Sequence, residues 1–371
     1  RCDIWVGTQA QDATRKAAVD ITGLEPEQVH VHTTYLGGGF GRRGEVDFIE
    51  QALHIAKDAG RPVKMVWTRE EDVTHDRYRP AFAARFKGAV GPDGLPVAWF
   101  NRNCGQNILE GRLPGAMMSV ARGLQRVTGA TVDILAVQGG IDLAYAIPHR
   151  KVEYVQRILP IPVGFWRSVG HSHNGFFVES FLDELAHAAR VDPFEMRQRL
   201  LKDRPRELRV LEAAAKLGEW GSPASGHFQG IAFHDSFGTL VAQVAEVSVS
   251  PEGSLTVHRV SCAVDPGIII HPDIVTAQIE GGIGYALSSM LRERIEIAGG
   301  RVVQSNFHDY QLMRMSQMPE VKVTLLETPD APVGGIGEPG VPPLAPAVCN
   351  ALFAATGVRI RSLPLLGQKL I

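Results

Sequence analysis

Two glycine clusters constrain this chain more than any other feature of its sequence. Gly37-Gly38-Gly39-Phe40-Gly41 and Gly334-Gly335-Ile336-Gly337-Glu338-Pro339-Gly340 place backbone without Cβ atoms where a chain can turn sharply or come close to another group. Glycine supplies 39 of the 371 residues, above its usual share of roughly 7%, and much of the excess lies in such clusters. The first cluster follows Gln28–Tyr35, which alternates through Val29, Val31 and Thr33 as a strand does. It precedes Glu45–Ala59, whose Phe48, Ala52, Leu53, Ile55 and Ala56 recur at helical spacing until Gly60 and Pro62 stop the pattern. Val63–Trp67 reads as a further short strand. The unit is strand, glycine loop, helix, strand, and backbone N–H groups at such a helix start attract anions. The glycines miss the G-x-G-x-x-G spacing of a dinucleotide fingerprint and no Walker lysine follows, so a nicotinamide-dependent dehydrogenase is disfavoured. A tight loop holding no ligand accounts for bare glycines equally well.

The rest of the chain mixes strands and helices. Asp12–Gly23 has helical spacing, and Phe82–Val90 and Pro96–Arg102 flank the turn Gly91-Pro92-Asp93-Gly94 as a hairpin. Asn107–Gln138 is only weakly periodic. Helices are predicted over Phe176–Ala189, Asp192–Leu201, Glu207–Leu217, Pro272–Leu291 and Ala345–Thr356, and strands over Leu240–Val249, Leu255–Val264 and Val321–Leu326. The elements do not alternate regularly, which predicts an α+β fold of mixed sheets with packed helices. The Gly/Ser/Pro run Ser222–Gly226 marks the expected seam. It divides a first lobe, 1–225, with the glycine loop, the Arg167 segment and the helical middle, from a second, 226–371, carrying Glu338.

Composition removes several function classes. Lys and Arg number 38 against 40 Asp and Glu, a net charge of −2, so no overall positive field gathers nucleic acid. Cys2, Cys104, Cys262 and Cys349 are scattered without a C-x-x-C, which argues against an iron–sulfur cluster or structural zinc held by this chain alone. No apolar run is long enough to span a bilayer. The first residue is Arg1 rather than Met, which reads as a processed or truncated start.

Three segments present chemistry. Glu338 is a lone carboxylate among glycines, its backbone stiffened by Pro339 and with few groups to solvate it, which suits a general base or equally a charged turn. Arg167, in Phe165-Trp166-Arg167-Ser168-Val169-Gly170, sits among large aromatics, where it clamps an anion, stacks on a ring or is simply structural. His30/His32 and His171/His173 have the i, i+2 spacing of ligands on a strand, but no third ligand lies nearby, and satisfied histidines explain them better.

Taken in order, Thr8-Gln9, Gly38-Gly39-Phe40-Gly41, Trp166-Arg167-Ser168, Ala277-Gln278-Ile279-Glu280-Gly281 and Gly337-Glu338-Pro339 resemble the molybdenum-binding subunit of the xanthine dehydrogenase/aldehyde oxidase family. The branch most like it is the isoquinoline 1-oxidoreductase β-subunit type, and the match runs from Gln9 to Leu365. The resemblance implies a molybdopterin cofactor, in its cytosine dinucleotide form, and oxidation of aldehydes or N-heteroaromatic carbons with water as oxygen source. Glu338 then matches the catalytic base. Gln9 matches a glutamine hydrogen-bonding at the metal centre, Gly38, Gly39, Phe40 and Gly41 the loop closing over it, Arg167 the arginine beside it, and Gln278 and Gly337 the remaining cofactor contacts. Molybdenum is held through the pterin, so no direct protein ligand is expected.

Departures from the pattern narrow the expectation. The xanthine-type arginine–glycine–phenylalanine–glycine segment appears as Arg167-Ser168-Val169-Gly170, and the glutamate behind the glycine loop of purine enzymes has only a shifted counterpart, Glu45, so xanthine is disfavoured as substrate. The family's glycine–glutamine–glycine pterin segment and its serine-rich stretch are missing, so the chain resembles the downstream half of a full subunit. The resemblance therefore implies an upstream half as partner, on another or a missing chain, and a [2Fe–2S] small subunit as electron exit, with a cytochrome acceptor beyond it. The compartment, bacterial cytoplasm or periplasm, stays open, as does membrane association through partners. A non-catalytic scaffold half-subunit is the competing reading.

Overall fold

The computed structural model describes residues 1–108, 120, 123, 127 and 133–371; most of the weakly periodic stretch lies outside them. The chain divides into two compact units of interleaved segments: Arg1–Pro80, Leu159–Arg167 and Glu296–Asp309 in the first, Ala81–Ile158, Ser168–Ile295 and Tyr310–Ile371 in the second. The fold is α+β with mixed sheets.

In the first unit, β1 (Cys2–Val6) and β2 (Val29–Thr33) pair in parallel from Cys2↔Val29 to Val6↔Thr33. Helix α1 (Gln11–Thr22) connects them and ends at Gly23, whose φ of 75° provides the left-handed cap. Helix α2 (Asp47–Ala59) ends the same way at Gly60. Ala18, Val29, Ile49 and Leu53 form the buried core where both helices meet the strands. The short α3 (Arg69–Thr74) opens on Thr68, whose hydroxyl accepts from the Glu71 N–H. Val63–Trp67, expected as a strand, pairs with no strand among the described residues. Its apolar spacing supplies half of what a strand needs; a partner edge supplies the other half.

The second unit holds two sheets. Strands β3 (Phe82–Val90), β4 (Pro96–Gln106) and β5 (His149–Arg157) lie in that order, β3 antiparallel and β5 parallel to β4. The meander β6 (Phe228–Ser236), β7 (Thr239–Val249) and β8 (Leu255–Asp265) gains, past the hairpin β9 (Ile297–Ala298)–β10 (Arg301–Val302) of the first unit, the strand β11 (Glu320–Leu325) parallel to β8. Against these sheets pack α4 (Val169–Ala189), α5 (Pro193–Leu200), α6 (Pro205–Leu217), α7 (Pro272–Leu291) and α8 (Leu344–Thr356). Trp99, Leu182, Met196, Leu211, Ile231 and Val244 are central to the apolar core. The expected seam at Ser222–Gly226 lies inside this unit. The run there is a local turn from α6 into β6, tied down by Gln229, whose side-chain amide donates to the Gly218 carbonyl at 2.7 Å. No helix among the described residues is long and apolar enough to cross a membrane.

Candidate functional site

The first unit gathers Gln9, the glycine loop and Arg167. Gln9 follows the end of β1, and its N–H donates to the Arg43 carbonyl at 2.9 Å, while the Thr8 hydroxyl reaches the same carbonyl at 3.1 Å. The Gly41 N–H in turn donates to Gln9 Oε1 at 3.1 Å. That bond fixes the amide's orientation, because only the carbonyl oxygen can accept from a backbone donor. The Gln9 side-chain NH₂ is left with no acceptor among the described residues. A Cβ added to Gly39 would lie 2.3 Å from Gln9 Oε1 and displace that side chain, and one on Gly41 would lie 2.6 Å from the Phe165 carbonyl oxygen, where close backbone packing demands glycine. Between them Phe40 adopts a φ of 51° and stays 44% exposed. The buried Arg167 guanidinium stands 5.8 Å from the Phe40 ring centroid. Arg42, just after the loop, is pinned by two 3.0 Å bonds to Asp47 and by a further pairing with Asp76.

The second unit gathers Glu338, Gly337 and Gln278. Glu338 is half-buried in the turn before α8. Its Oε1 accepts the Ser168 N–H at 2.8 Å, and its backbone carbonyl accepts the Ser168 hydroxyl at 2.7 Å. Ser168 precedes α4, so the carboxylate meets the start of a 21-residue helix, the end whose free N–H groups favour negative charge. Oε2 has no hydrogen-bond partner among the described residues. The turn itself is held from several sides. The Gly335 N–H donates to the Phe237 carbonyl at 2.8 Å, the Thr239 hydroxyl to the Gly335 carbonyl at 2.7 Å, and Gln243 to the Gly340 carbonyl at 2.9 Å. Gln278 lies on α7 beside Ile279, whose backbone would be 3.2 Å from a Cβ on Gly340. Close helix–turn packing therefore brings Gln278's part of α7 to the Glu338 turn.

The sequence did not single out two further features. Ser168 and Val169 both take left-handed backbone angles, φ 77° and 46°, directly before the helix. Behind them His171 Nδ1 and His234 Nε2 are 3.0 Å apart in the interior. Burial pushes His171 down to about 4 and His234 well below the usual histidine range, the neighbouring ring adding to the effect in His234. The sequence spacing hinted at a strand for His171 and His173. Instead they lie on a helix, where His173 meets the Ala136 carbonyl at 2.9 Å and stacks on Phe82. His30 and His32 do lie on a strand, and His32 meets Asp3 at 3.0 Å. Among the described residues no group of three or more His, Cys, Asp or Glu could hold a metal ion.

Each unit by itself presents groups that a polar cofactor uses. In the first, the Gln9 amide offers a donor and an added Cβ on Gly37 would meet nothing within 4 Å; in the second, Glu338 Oε2 offers an acceptor.

Comparison with known proteins agrees with this chemistry. Residues 1–101 and 181–319 each match a family model described as a molybdopterin cofactor-binding domain. The chain is 34% identical over 368 residues to the isoquinoline 1-oxidoreductase subunit beta of Brevundimonas diminuta, covering 98% of this chain and 46% of that protein. It is 29% identical over 389 residues to the membrane-bound aldehyde dehydrogenase [pyrroloquinoline-quinone] of Gluconacetobacter polyoxogenes, covering 98% and 49%. The chain thus spans about half the length of these curated relatives. Among solved structures, quinoline 2-oxidoreductase from Pseudomonas putida 86 superposes with a TM-score of 0.79 at 15% identity, over 98% of this chain and 71% of that one, a likeness of fold.

Proposed function

Because this chain belongs to the xanthine dehydrogenase/aldehyde oxidase family of molybdenum-binding subunits, we propose that it forms the catalytic wall of a molybdopterin-dependent oxidoreductase acting on aldehydes or N-heteroaromatic compounds. When bound, the molybdenum cofactor supplies the two-electron oxidation of the substrate carbon, with water as the oxygen source. Glu338 is the general base. The observation that carries this role is the Ser168 N–H on Oε1, which holds the carboxylate in one orientation while Oε2 stays open to take a proton. Gln9 donates through its free side-chain NH₂ to the cofactor. Gly38, Gly39, Phe40 and Gly41 bring their backbone against it, with Arg167 beside the Phe40 ring, and Gly337 and Gln278 are further cofactor contacts.

The cofactor is taken in its cytosine dinucleotide form. Electrons leave through [2Fe–2S] clusters on a separate small subunit, with a cytochrome as the onward acceptor. The relatives' greater length supports a further share of the site coming from polypeptide beyond these 371 residues. The working complex is placed in the bacterial cytoplasm or periplasm.

The test is Glu338→Gln in the native complex, assayed on a panel of aldehydes and N-heterocycles with an artificial electron acceptor. Glutamine keeps the size and still accepts the Ser168 N–H, but it takes no proton. Turnover falls by roughly 10²–10⁴ while molybdenum content stays the same. Near-normal turnover would refute the assignment.

A further inference from the structure

A strand–helix–strand crossover normally returns the chain to the sheet it left. In the first unit β2 and α2 are followed by residues 63–67, whose side chains behave as those of a strand. Met65 and Trp67 are half-buried, and Val66 between them is 76% exposed. The inward face is anchored: the Trp67 indole N–H donates to Gln51 Oε1 on α2 at 3.0 Å, and its ring meets Phe48 edge-on at 6.3 Å. The outward edge pairs with no strand among the described residues.

The two-stranded sheet of the same unit is equally incomplete. Among the described residues β1 and β2 pair with no further strand, whereas parallel strands occur almost only in larger sheets covered on both faces, and two strands alone are marginal in water. Trp5, stacked on His32 at 4.7 Å, is 67% exposed on the face turned away from the helices. Among the described residues four make up the buried core cluster of this unit, and the apolar side chains packed against it, Ile4, Val6 and Phe48 among them, stay only partly buried. The relatives matched over 98% of this chain carry at least as much polypeptide again outside the match.

We propose that residues 63–67, together with the β1–β2 pair, form a docking edge that takes up a β-strand from polypeptide outside these 371 residues, the portion corresponding to the unmatched part of those relatives. Main-chain hydrogen bonds to the 63–67 edge give the affinity, and apolar side chains of the incoming strand cover Val66 and Trp5. The inference rests on the family assignment and is independent of the role given to Glu338.

Two measurements on the native, cofactor-loaded protein test it, neither reading turnover. In hydrogen–deuterium exchange, alternate amides of residues 63–67, those facing the paired edge, exchange at least about 100-fold more slowly than unstructured chain, as ladder amides do. An amine-to-diazirine cross-linker anchored on Lys64 couples to a residue outside these 371. V66P removes a donor and bends the edge, so it restores exchange to within about tenfold of the unstructured rate at residues 63–65 and loses the cross-link, whereas V66T, which keeps strand preference, retains both. Unprotected amides in the wild-type protein, cross-links confined to residues 1–371 of the same or a second copy, or a V66P protein as protected as wild type would each overturn the proposal.

Discussion

Ser168 shows how one residue sets the geometry of another 170 positions away in sequence. Its φ of 77°, followed by 46° at the β-branched Val169, is a conformation that L-residues adopt at a cost of about 1–3 kcal/mol each. The corresponding xanthine-type segment has glycine where this chain has Ser168, and glycine would relieve that strain. Serine adds the hydroxyl bond to the Glu338 carbonyl, about 1 kcal/mol of net stabilisation, beside the N–H bond to Oε1 that any residue would make. Strain relief and bond loss nearly cancel in Ser168→Gly, so its melting temperature should stay within a few degrees of wild type. Its kcat should nevertheless fall about tenfold at unchanged KM, because the Glu338 main chain is no longer tied to the helix start by the hydroxyl and the carboxylate is left tethered through the Ser168 N–H alone. Ser168→Ala keeps the strain and loses the bond, so it should lose both stability and kcat. Wild-type kcat in both variants would show that the hydroxyl does not position the carboxylate.

The helix that Ser168 opens is also where the sequence was hardest to read. Spacing predicted a start at Phe176, but α4 starts at Val169. Gly170, His171, Ser172, His173 and Asn174 look like loop residues because glycine loses backbone entropy in a helix and the serine and asparagine side chains compete for backbone partners. Here those partners lie in the interior. Asn174 donates to the Ala136 and Gln138 carbonyls at 3.1 and 2.9 Å and accepts from Asn103 at 2.5 Å, so burial satisfies the polar groups that usually end a helix. Helices α1, α2, α7 and α8 were legible because apolar spacing and glycine or proline at their ends are local signals. The pairing of residues 63–67 and the left-handed angles of Ser168 are not local, and neither can be inferred from composition. Gln9 and Glu338 stood out through the order of their motifs, while the bonds that orient them required the fold. At Gly170 a Cβ would stand 1.9 Å from the Leu135 carbonyl oxygen, a backbone atom that cannot step aside. Gly170→Ala should therefore destabilise the protein by at least about 1–3 kcal/mol. It should also weaken turnover more than Gly357→Ala, a change at the opposite end of α8 from the Glu338 turn, where an added Cβ would meet nothing within 4 Å. Equal effects of the two in thermal melting and kinetics would sink this account of the α4 start.

At the scale of the whole molecule, buried polar groups tie the second unit together, and they set how it responds to acid. Tyr145 donates to Glu179 Oε1 at 2.7 Å, and Arg197 and the Phe233 N–H meet Oε2 at 2.9 and 3.0 Å, linking α4, α5 and β6 through one carboxylate. His171 and His234 make a second link between α4 and β6, and burial disfavours their charged forms. In the unfolded chain a histidine takes up a proton near pH 6.5. In the folded chain His171 does so only near pH 4. Above pH 6.5 both states are neutral there and the contribution to stability is complete. As the pH falls from 6.5 towards 4, only the unfolded state gains the proton, so stability drops, by on the order of 3 kcal/mol from His171. His171→Gln replaces the imidazole with an amide that can meet His234 but does not titrate. It should be less stable than wild type at pH 7.5, and the gap should narrow or close by pH 4.5 in urea unfolding. A gap that stays constant across that range would show that His171 does not resist protonation in the fold. Because His171 is three residues from Ser168, the same acid weakening reaches the helix start that holds Glu338, and loss of activity should begin at a higher pH than global unfolding.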